Sequence, residues 1–359
     1  GSTISKIRFN KLFTNELQKE RNIGEGSIIQ TVISNEEVLY QIIDGRTNEE
    51  NLEFKDTHGY TIGTAQKLGK YLSDVNELNT VKWLPEIYTP IFLLEAEAVE
   101  YNPNNFIGKL PNTNYGIPIK TPHELVTHNT AILGILGIGK SCLTFELLQK
   151  TIKETNTKVI CIDITGQYLV EVEKYINVGV FEIDYTTIEQ HISAAYKTIN
   201  KDIEEGGNYK SFKEQVTARI GQLLDTADER ILIVNPQQFN VSYQVGELKN
   251  KKVGPGQNDW QEVASMRDLT VAELTRLISE VSLDLSKSKG LTDEARLLLV
   301  YEEAHSLVPE WNSVANDGDK SATNGTAKVI LQGRKYGLGS FVITQRTANI
   351  SKSILNQCN

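Results

Sequence analysis

The segment from Gly134 to Ser141, GILGIGKS, has the glycine, lysine and hydroxyl spacing of a loop that binds nucleotide phosphates. An apolar run precedes it and an amphipathic run follows it, which predicts the strand and the helix that such a loop requires. The glycines let successive backbone N–H groups point inward at the positive end of the helix. We expect Lys140 to reach the β and γ phosphates. An ordinary glycine-rich turn is the alternative.

The residues expected to contact ATP all lie in this loop or at the start of the helix. They are Gly134, Gly137, Ile138, Gly139, Lys140, Ser141 and Cys142. The Ser141 hydroxyl is the expected protein ligand of Mg²⁺ at this end of the site. The loop therefore predicts ATP and Mg²⁺ as the bound groups.

Two adjacent acids, Glu302 and Glu303, follow the apolar run Leu297 to Val300. Ligands of open α/β sheets bind beyond the carboxyl ends of the strands, so these acids should lie near the phosphate loop. We assign Glu302 to Mg²⁺, through water, and Glu303 to polarising the attacking water as general base. A solvated pair of surface glutamates is the alternative.

The composition of the chain limits the classes of protein to which it can belong. The chain has 359 residues, is 39% hydrophobic and carries a net charge of −9, which argues against a protein that coats nucleic acid but permits a local basic channel. No apolar run approaches the roughly 18 residues of a membrane span, and no signal peptide is evident, so we expect a cytoplasmic protein without membrane contact. Cys142, Cys161 and Cys358 lack zinc-site spacing and are expected to be buried thiols.

The pattern of apolar and polar residues divides the chain into regions. Residues 1–2, Gly-Ser without an initiator Met, are the expected remnant of a tag. Residues 3–115 predict a small β-rich, barrel-like domain, in which 64–75, TAQKLGKYLSDV, is expected to form a helix. Residues 116–359 predict an α/β domain, because wholly apolar strands alternating with helices indicate a mainly parallel sheet. We expect this domain to continue beyond 359 in the natural chain.

Two longer stretches, about 186–227 and 259–287, are predicted to be helices that carry charges on one face. Between them, residues 240–260 contain Gly, Pro and a cluster of lysines. This composition predicts an insertion loop or a hairpin.

The second half of the chain resembles a known family. EEAHSL and GRKYGLGSFVITQRTANISKSILNQCN, together with DITGQY and the phosphate loop, are similar to the HerA family of hexameric DNA-translocating ATPases. The similarity runs over roughly 128–359. It implies a RecA-like core, related to the FtsK motors, that follows a small barrel and assembles as a ring around duplex DNA.

The resemblance also implies roles for single residues. Arg334 of GRKYG corresponds to an arginine finger that reaches the γ-phosphate of the neighbouring subunit, and Gln345 ends a strand where it can sense that phosphate or position water. A surface arginine and a polar strand cap are the alternatives. Asp163 ends another strand, and Gln167 stands where the family usually has Glu. His128 lies where relatives often carry a basic residue.

A ring would need basic side chains only where loops enter its pore. The candidates for contacts with DNA phosphates are Lys249, Lys251 and Lys252, which could equally be solubilising lysines. The resemblance implies a homo-hexamer that acts with a nuclease or a sirtuin-like effector, as in antiviral defence. A nucleotide-gated scaffold that activates an effector is the second hypothesis, and a conjugation- or secretion-type ATPase is the third.

Overall fold

The computed structural model divides the chain into two compact units, Gly1–Ile119 and Lys120–Asn359. The division falls a few residues after the boundary expected from the sequence. The structure describes residues 4–10, 24–47, 60–72, 77–82, 84–94, 106–110, 116–119, 121–174, 176–182, 184, 186–189, 206–245, 249–252, 254–256, 260–310 and 317–358.

The first unit is rich in β-structure, as expected. Its strands are β1 (Ile4–Asn10), β2 (Ile28–Ile33), β3 (Glu36–Thr47), β4 (Tyr60–Leu72), β5 (Glu77–Asn79), β6 (Ile91–Leu93), β7 (Phe106–Lys109) and β8 (Gly116–Pro118). The main sheet has the order β1-β4-β3-β2-β6, with β5 also paired to β4, and all its pairs are antiparallel. Alternate residues such as Ile29, Val38 and Tyr40 form its buried core.

The helix expected at 64–75 is wrong. Residues 64–72 belong to β4, which pairs with β3 along one side and with β1 and β5 along the other, and 73–75 lie outside the described residues. Ala65 is fully buried, whereas Gln66 is exposed. Helix propensity of Ala, Gln, Lys and Leu is a weak preference that backbone pairing on both sides overrides.

The second unit is built on a parallel sheet, as expected. Its strands are β9 (Thr130–Leu133), β10 (Lys158–Ile162), β11 (Val178–Val180), β12 (Ile231–Val234), β17 (Thr292–Tyr301) and β18 (Tyr336–Thr344), in the order β11-β12-β10-β17-β18-β9. Every residue of β10 and β12 is buried, because helices cover both faces of the sheet. All six strands therefore present their carboxyl ends along one edge.

Eight helices are present among the described residues. They are α1 (Pro122–Thr127), α2 (Lys140–Glu154), α3 (Gln167–Val172), α4 (Tyr209–Asp225), α5 (Val271–Ser288), α6 (Ala304–Leu307), α7 (Asp317–Gly333) and α8 (Lys352–Leu355). None of those in the described ranges is both long and apolar enough to cross a bilayer. The large cluster of buried residues of this unit joins the sheet to α4, α5 and α7.

The two long helices are shorter than expected. Residues 186–189 form a turn rather than a helix, because Asp184 accepts hydrogen bonds from the backbone and hydroxyl of Thr186, and 190–205 lie outside the described residues. The second helix begins only at Val271. Thr270 accepts a hydrogen bond from Glu273 N (3.2 Å), and the Glu273 carboxylate accepts one from Thr270 N (2.9 Å), which is a capping box.

The residues just before this helix form strands instead. They are β13 (Ser242–Gln244), β14 (Lys249–Lys252), β15 (Trp260–Val263) and β16 (Met266–Asp268). β13 pairs with β16 and β14 with β15, so the insertion is a long antiparallel hairpin, which confirms that alternative.

Candidate nucleotide-binding site

The phosphate loop joins β9 to α2 at the carboxyl edge of the sheet. Gly137 and Gly139 have φ values of +84° and +91°, which residues with a side chain rarely adopt, so the loop can curl in front of the helix. Lys140 Nζ donates to Ile135 O over 2.9 Å. Lys140 therefore lies inside the loop's own curve.

The surroundings of this loop differ from the sequence-based expectation in one respect. Cys142 is exposed, whereas Cys161 is buried and Cys358 is partly buried, so the expectation of three buried thiols is wrong for Cys142. The reason is its place in the first turn of α2, on the side that faces away from the sheet. Ile138 is 58% exposed, and its side chain packs over Gly134.

Glu302 is buried beside the loop, 5% exposed, at the end of β17. The Tyr168 hydroxyl donates to its Oε2 over 2.7 Å. Burial raises the pKa of Glu302 to about 7, the hydrogen bond from Tyr168 opposes that rise, and the carboxylates of Glu303 and Asp163 add to it. Because burial disfavours the charged form of this carboxylate, a nearby cation would stabilise that form strongly.

Glu303 faces the same edge in a different setting. Its Oε1 accepts a hydrogen bond from Gln345 Nε2 over 3.0 Å. Its Oε2 lies 3.2 Å from His305 Nδ1, but the ring N–H is not directed at it, so this buried oxygen has no hydrogen-bond partner among the described residues. Burial lowers the pKa of His305, and Arg346 adds to that effect while Glu303 opposes it. Glu303 Oε2 is thus an acceptor that no described hydrogen bond uses, and it lies beside the His305 ring.

The backbone at Glu303 is unusual, with φ +51° and ψ +50° at the start of α6. A left-handed conformation in a residue other than glycine costs free energy and is common at functional sites. It turns the Glu303 side chain toward Gln345 instead of along the strand. The two adjacent acids therefore occupy distinct environments.

Asp163 serves the local turn. Its Oδ1 accepts hydrogen bonds from Thr165 N, Thr165 Oγ1 and Gly166 N, and its Oδ2 accepts one from Tyr168 N over 3.0 Å. Asp163 therefore caps the start of α3 and holds Tyr168 against Glu302. Gln167, in the same turn, is exposed.

The oxygen donors at this edge fit Mg²⁺. The Ser141 hydroxyl and the Glu302 carboxylate are hard oxygen ligands, and Mg²⁺ in nucleotide sites takes one or two protein oxygens and completes its shell with phosphates and water. The described residues contain no group of three or more His, Cys, Asp or Glu side chains that could hold a metal ion.

Arg334 and His128 lie at the opposite, amino edge of the sheet. Arg334 Nη2 is 2.7 Å from His128 Nε2, and His128 Nδ1 is 3.0 Å from Glu124 O. Because a guanidinium can only donate, Nε2 is the acceptor, and Nδ1 carries the proton of a neutral ring. β9, which spans roughly 13 Å at about 3.3 Å per residue, separates this pair from the phosphate loop. Arg334 is therefore outside its own chain's site.

The three candidate DNA-binding lysines all lie on β14 and are exposed. Pairing of β14 with β15 places Lys252 opposite Trp260 and Lys251 opposite Gln261. The base of the hairpin is tied to α5, since Arg267 donates to Tyr243 Oη (2.6 Å) and to the carboxylate of Glu273. The structure thus presents the lysines on a ribbon with an anchored base.

Sequence reasoning missed Tyr168 as the partner of Glu302. The two are 134 positions apart in the chain, and only the pairing of β10 with β17 brings them together. The Tyr168 ring also packs edge-to-face on Phe145 of α2, with 5.0 Å between centroids. The spacing of apolar and aromatic residues in the sequence does not indicate this hydrogen bond.

Comparisons with known proteins were consistent with this site. Residues 105–290, just over half of the chain, match the family described as "Helicase HerA, central domain". The "Probable helicase MJ1565" of Methanocaldococcus jannaschii is 22% identical over 92% of this chain and 72% of its own length. The "DNA double-strand break repair helicase HerA" of Sulfolobus acidocaldarius is 24% identical over 70% of this chain and 57% of its own length.

The matches among solved structures are more distant. The genome packaging NTPase B204 of Sulfolobus turreted icosahedral virus 2, in complex with AMPPCP, is 12% identical and covers 65% of this chain and 72% of its own, with a TM-score of 0.32. The pCW3 conjugation coupling protein TcpA, as a monomer with ATPγS, is 15% identical and covers 99% of this chain and 72% of its own, with a TM-score of 0.35.

Proposed function

Because the chain belongs to the family of the HerA helicase central domain and is a P-loop ATPase, we propose that it hydrolyses ATP with Mg²⁺ between identical subunits of a ring and thereby moves along or remodels duplex DNA. The observation that carries this proposal is the separation of Lys140 from Arg334 at opposite edges of one sheet. One chain holds two half-sites that cannot meet within it, and a head-to-tail ring of copies brings them together.

Each residue of the carboxyl edge has a part in hydrolysis. Lys140 leaves Ile135 O and contacts the β and γ phosphates of ATP, and the backbone N–H groups of the loop hold the phosphate chain. Glu303 accepts a proton from the attacking water, while the hydrogen bond from Gln345 to Oε1 orients that carboxylate. Positioning and charge stabilisation supply the catalysis, since phosphoryl transfer needs little covalent chemistry from the protein.

Ser141 and Glu302 would hold Mg²⁺ when ATP is bound, with Glu302 contributing through water. The metal supplies positive charge to the β and γ phosphoryl oxygens. Tyr168 keeps the Glu302 carboxylate at this place through the 2.7 Å hydrogen bond to Oε2. A cation held there would favour the ionised form of Glu302, which burial disfavours.

Arg334 completes the site of the neighbouring subunit. An arginine supplied by a neighbour places positive charge where the transition state spreads negative charge over the γ-phosphoryl oxygens, and such residues contribute about 10³ to 10⁵ in rate. In the single chain His128 holds the guanidinium at the amino edge. We infer a hexamer as the ring size, from the resemblance to HerA.

DNA is proposed to contact the ring through the β14–β15 ribbon, where Lys249, Lys251 and Lys252 are exposed. Lysine contacts to phosphates are independent of base sequence. The second candidate function is a nucleotide-gated scaffold that activates a nuclease or sirtuin-like effector, as in antiviral defence. The net charge of −9 and the neutral Gln167 favour this alternative over a strong motor.

The decisive experiment measures steady-state ATP turnover of the purified oligomer with and without linear duplex DNA, using Glu303→Gln as the blank. Several-fold stimulation by DNA is expected for a motor, whereas turnover that DNA leaves unchanged contradicts translocation and supports the scaffold. Co-purified mixtures of Lys140→Ala and Arg334→Ala subunits should regain part of the turnover. Mixtures as inactive as each variant alone would contradict the shared site.

A further inference from the structure

Arg346 lies beside the phosphate loop, directly after Gln345. In the parallel pair of β18 and β9, Thr344 is in register with Leu133, and Gly134 N donates to Thr344 O over 3.4 Å. Arg346 therefore leaves the sheet alongside the first residues of the phosphate loop. No other described strand at this edge is followed within two residues by an arginine.

The backbone of Arg346 is fixed although its side chain is exposed. Arg346 N donates to Thr344 Oγ1 over 3.1 Å, and Arg346 O accepts from Asn349 N over 3.1 Å in a short 3₁₀ turn. Asn349 O in turn accepts from Glu310 N over 2.8 Å. The Cα position is thus set by the sheet and by the segment after α6, and only the side chain is free to move.

The guanidinium of Arg346 has no hydrogen-bond or ion-pair partner among the described residues. The other described arginine side chains all have one. Their partners are Glu229 for Arg219, backbone carbonyls for Arg230 and Arg296, Glu273 for Arg267, Glu280 for Arg276 and His128 for Arg334. Arg346 lies at the same edge of the sheet as Glu302 and Glu303. Its guanidinium has no partner there and is therefore available to donate charge-assisted hydrogen bonds to an anion.

We propose that Arg346 binds the γ-phosphate of the nucleotide held by its own chain and so distinguishes a nucleoside triphosphate from a diphosphate. This inference rests on the nucleotide site of the proposed function. A guanidinium offers two parallel N–H donors that match two oxygens of one phosphoryl group. The site then receives Lys140 and Arg346 from one chain and Arg334 from its neighbour.

Nucleotide affinity gives the first test. Arg346→Ala is expected to weaken binding of a non-hydrolysable ATP analogue by about 10- to 100-fold, the value of charged hydrogen bonds, with ADP affinity changed by less than about twofold. Arg346→Lys should keep part of the preference, because it retains the charge and loses the paired donors. The matched control is Lys328→Ala, which removes an exposed cation in the middle of α7. Equal loss for both nucleotides would overturn the proposal.

Mixed oligomers test whether Arg346 acts within its own chain. Arg346→Ala subunits co-expressed with Arg334→Ala subunits should regain turnover, because some interfaces then join an intact phosphate-loop side to an intact Arg334. Arg346→Ala with Lys140→Ala should not, since both changes damage the same side. The reverse pattern would place Arg346 in the neighbour's site and overturn the assignment.

Failure of the proposed function gives a different result. If Lys140→Ala and Arg334→Ala do not complement each other, the site shared between subunits is wrong. The assignment of Arg346 would then still stand if Arg346→Ala selectively lost affinity for the triphosphate analogue. If Arg346→Ala weakened the binding of both nucleotides equally while Lys140→Ala and Arg334→Ala still complemented each other, the role assigned to Arg346 would be wrong. The site shared between subunits would then still stand.

Discussion

Gln345 Nε2 donates a 3.0 Å hydrogen bond to Glu303 Oε1, which joins the ends of two neighbouring parallel strands. The contact holds Oε1 of Glu303, whereas the buried Oε2 has no hydrogen-bond partner among the described residues. We expect Glu303 to act on water and Gln345 to orient its carboxylate.

Glu303→Gln should bind ATP with near-native affinity and lose about 10²- to 10⁴-fold in kcat, the usual contribution of a general base. Gln345→Ala should cost less, about tenfold, because the carboxylate remains but loses its orientation. Single-turnover hydrolysis with a separate binding measurement checks both changes. Equal rates for Glu303→Gln and the native protein would rule out Glu303 as the base.

Glu302→Gln should stabilise the protein at alkaline pH. Burial raises the pKa of Glu302 from 4.5 to about 7, so the folded state binds a proton more tightly than the unfolded state, and stability falls as pH rises through that interval. Removing the ionisable group should raise the free energy of unfolding by about 3 kcal/mol at pH 8 and by under about 1 kcal/mol at pH 5. Thermal unfolding in EDTA without nucleotide measures this. A gain that is the same at both pH values would contradict it.

Tyr168→Phe should destabilise the protein at alkaline pH, through the same Glu302 carboxylate. The hydroxyl of Tyr168 is the donor that lowers the pKa of Glu302 against the effect of burial, so its loss leaves a buried charge without that partner. We expect a loss of about 1 to 3 kcal/mol at pH 8. In the Glu302→Gln background the loss should be smaller, and a double-mutant cycle measures the difference. Additive changes would show that the Tyr168 hydroxyl does not act through the charge of Glu302.

His128→Ala should lower kcat with little change in KM for ATP. His128 Nε2 accepts the hydrogen bond from Arg334, so the change frees a guanidinium that must then be ordered for every turnover. A loss of about three- to tenfold is expected, and His128→Gln should recover part of it by offering an acceptor. The same variants in an Arg334→Ala background should have no further effect. An added loss there would give His128 a role of its own.

Replacing Lys249, Lys251 and Lys252 by alanine should weaken duplex binding most strongly at low salt. Each lost phosphate contact lowers the slope of log affinity against log salt by about 0.9. Fluorescence anisotropy across a salt series measures this slope, with Lys328→Ala as the control. ATP turnover without DNA should be unchanged, because the hairpin carries none of the residues assigned to the nucleotide site. An unchanged slope would exclude the ribbon as the DNA contact.

The sequence predicts the residues that belong to short motifs. Lys140, Glu302, Glu303 and Gln345 each follow or end an apolar strand, and a parallel sheet brings such ends to one edge without further information. The interpretation of 64–75 as a helix failed because the pairing of β4 depends on strands far away in the chain.

Partners across the sheet could not be read from the sequence for the same reason. Tyr168 and Glu302 meet only once β10 and β17 are paired, and the free guanidinium of Arg346 is evident only when the partners of the other arginines are known. Motifs identify which polar groups are present, whereas packing decides which of those groups already have a hydrogen-bond or ion-pair partner.

The placement of Lys140 and Arg334 at opposite edges of the sheet has a genetic consequence. In a head-to-tail ring each subunit owns half of two sites, so a chain that has lost both residues disables the site on either side of it. The number of working sites then falls with the square of the fraction of intact chains. An allele encoding this double variant should be dominant when it is expressed beside the native gene.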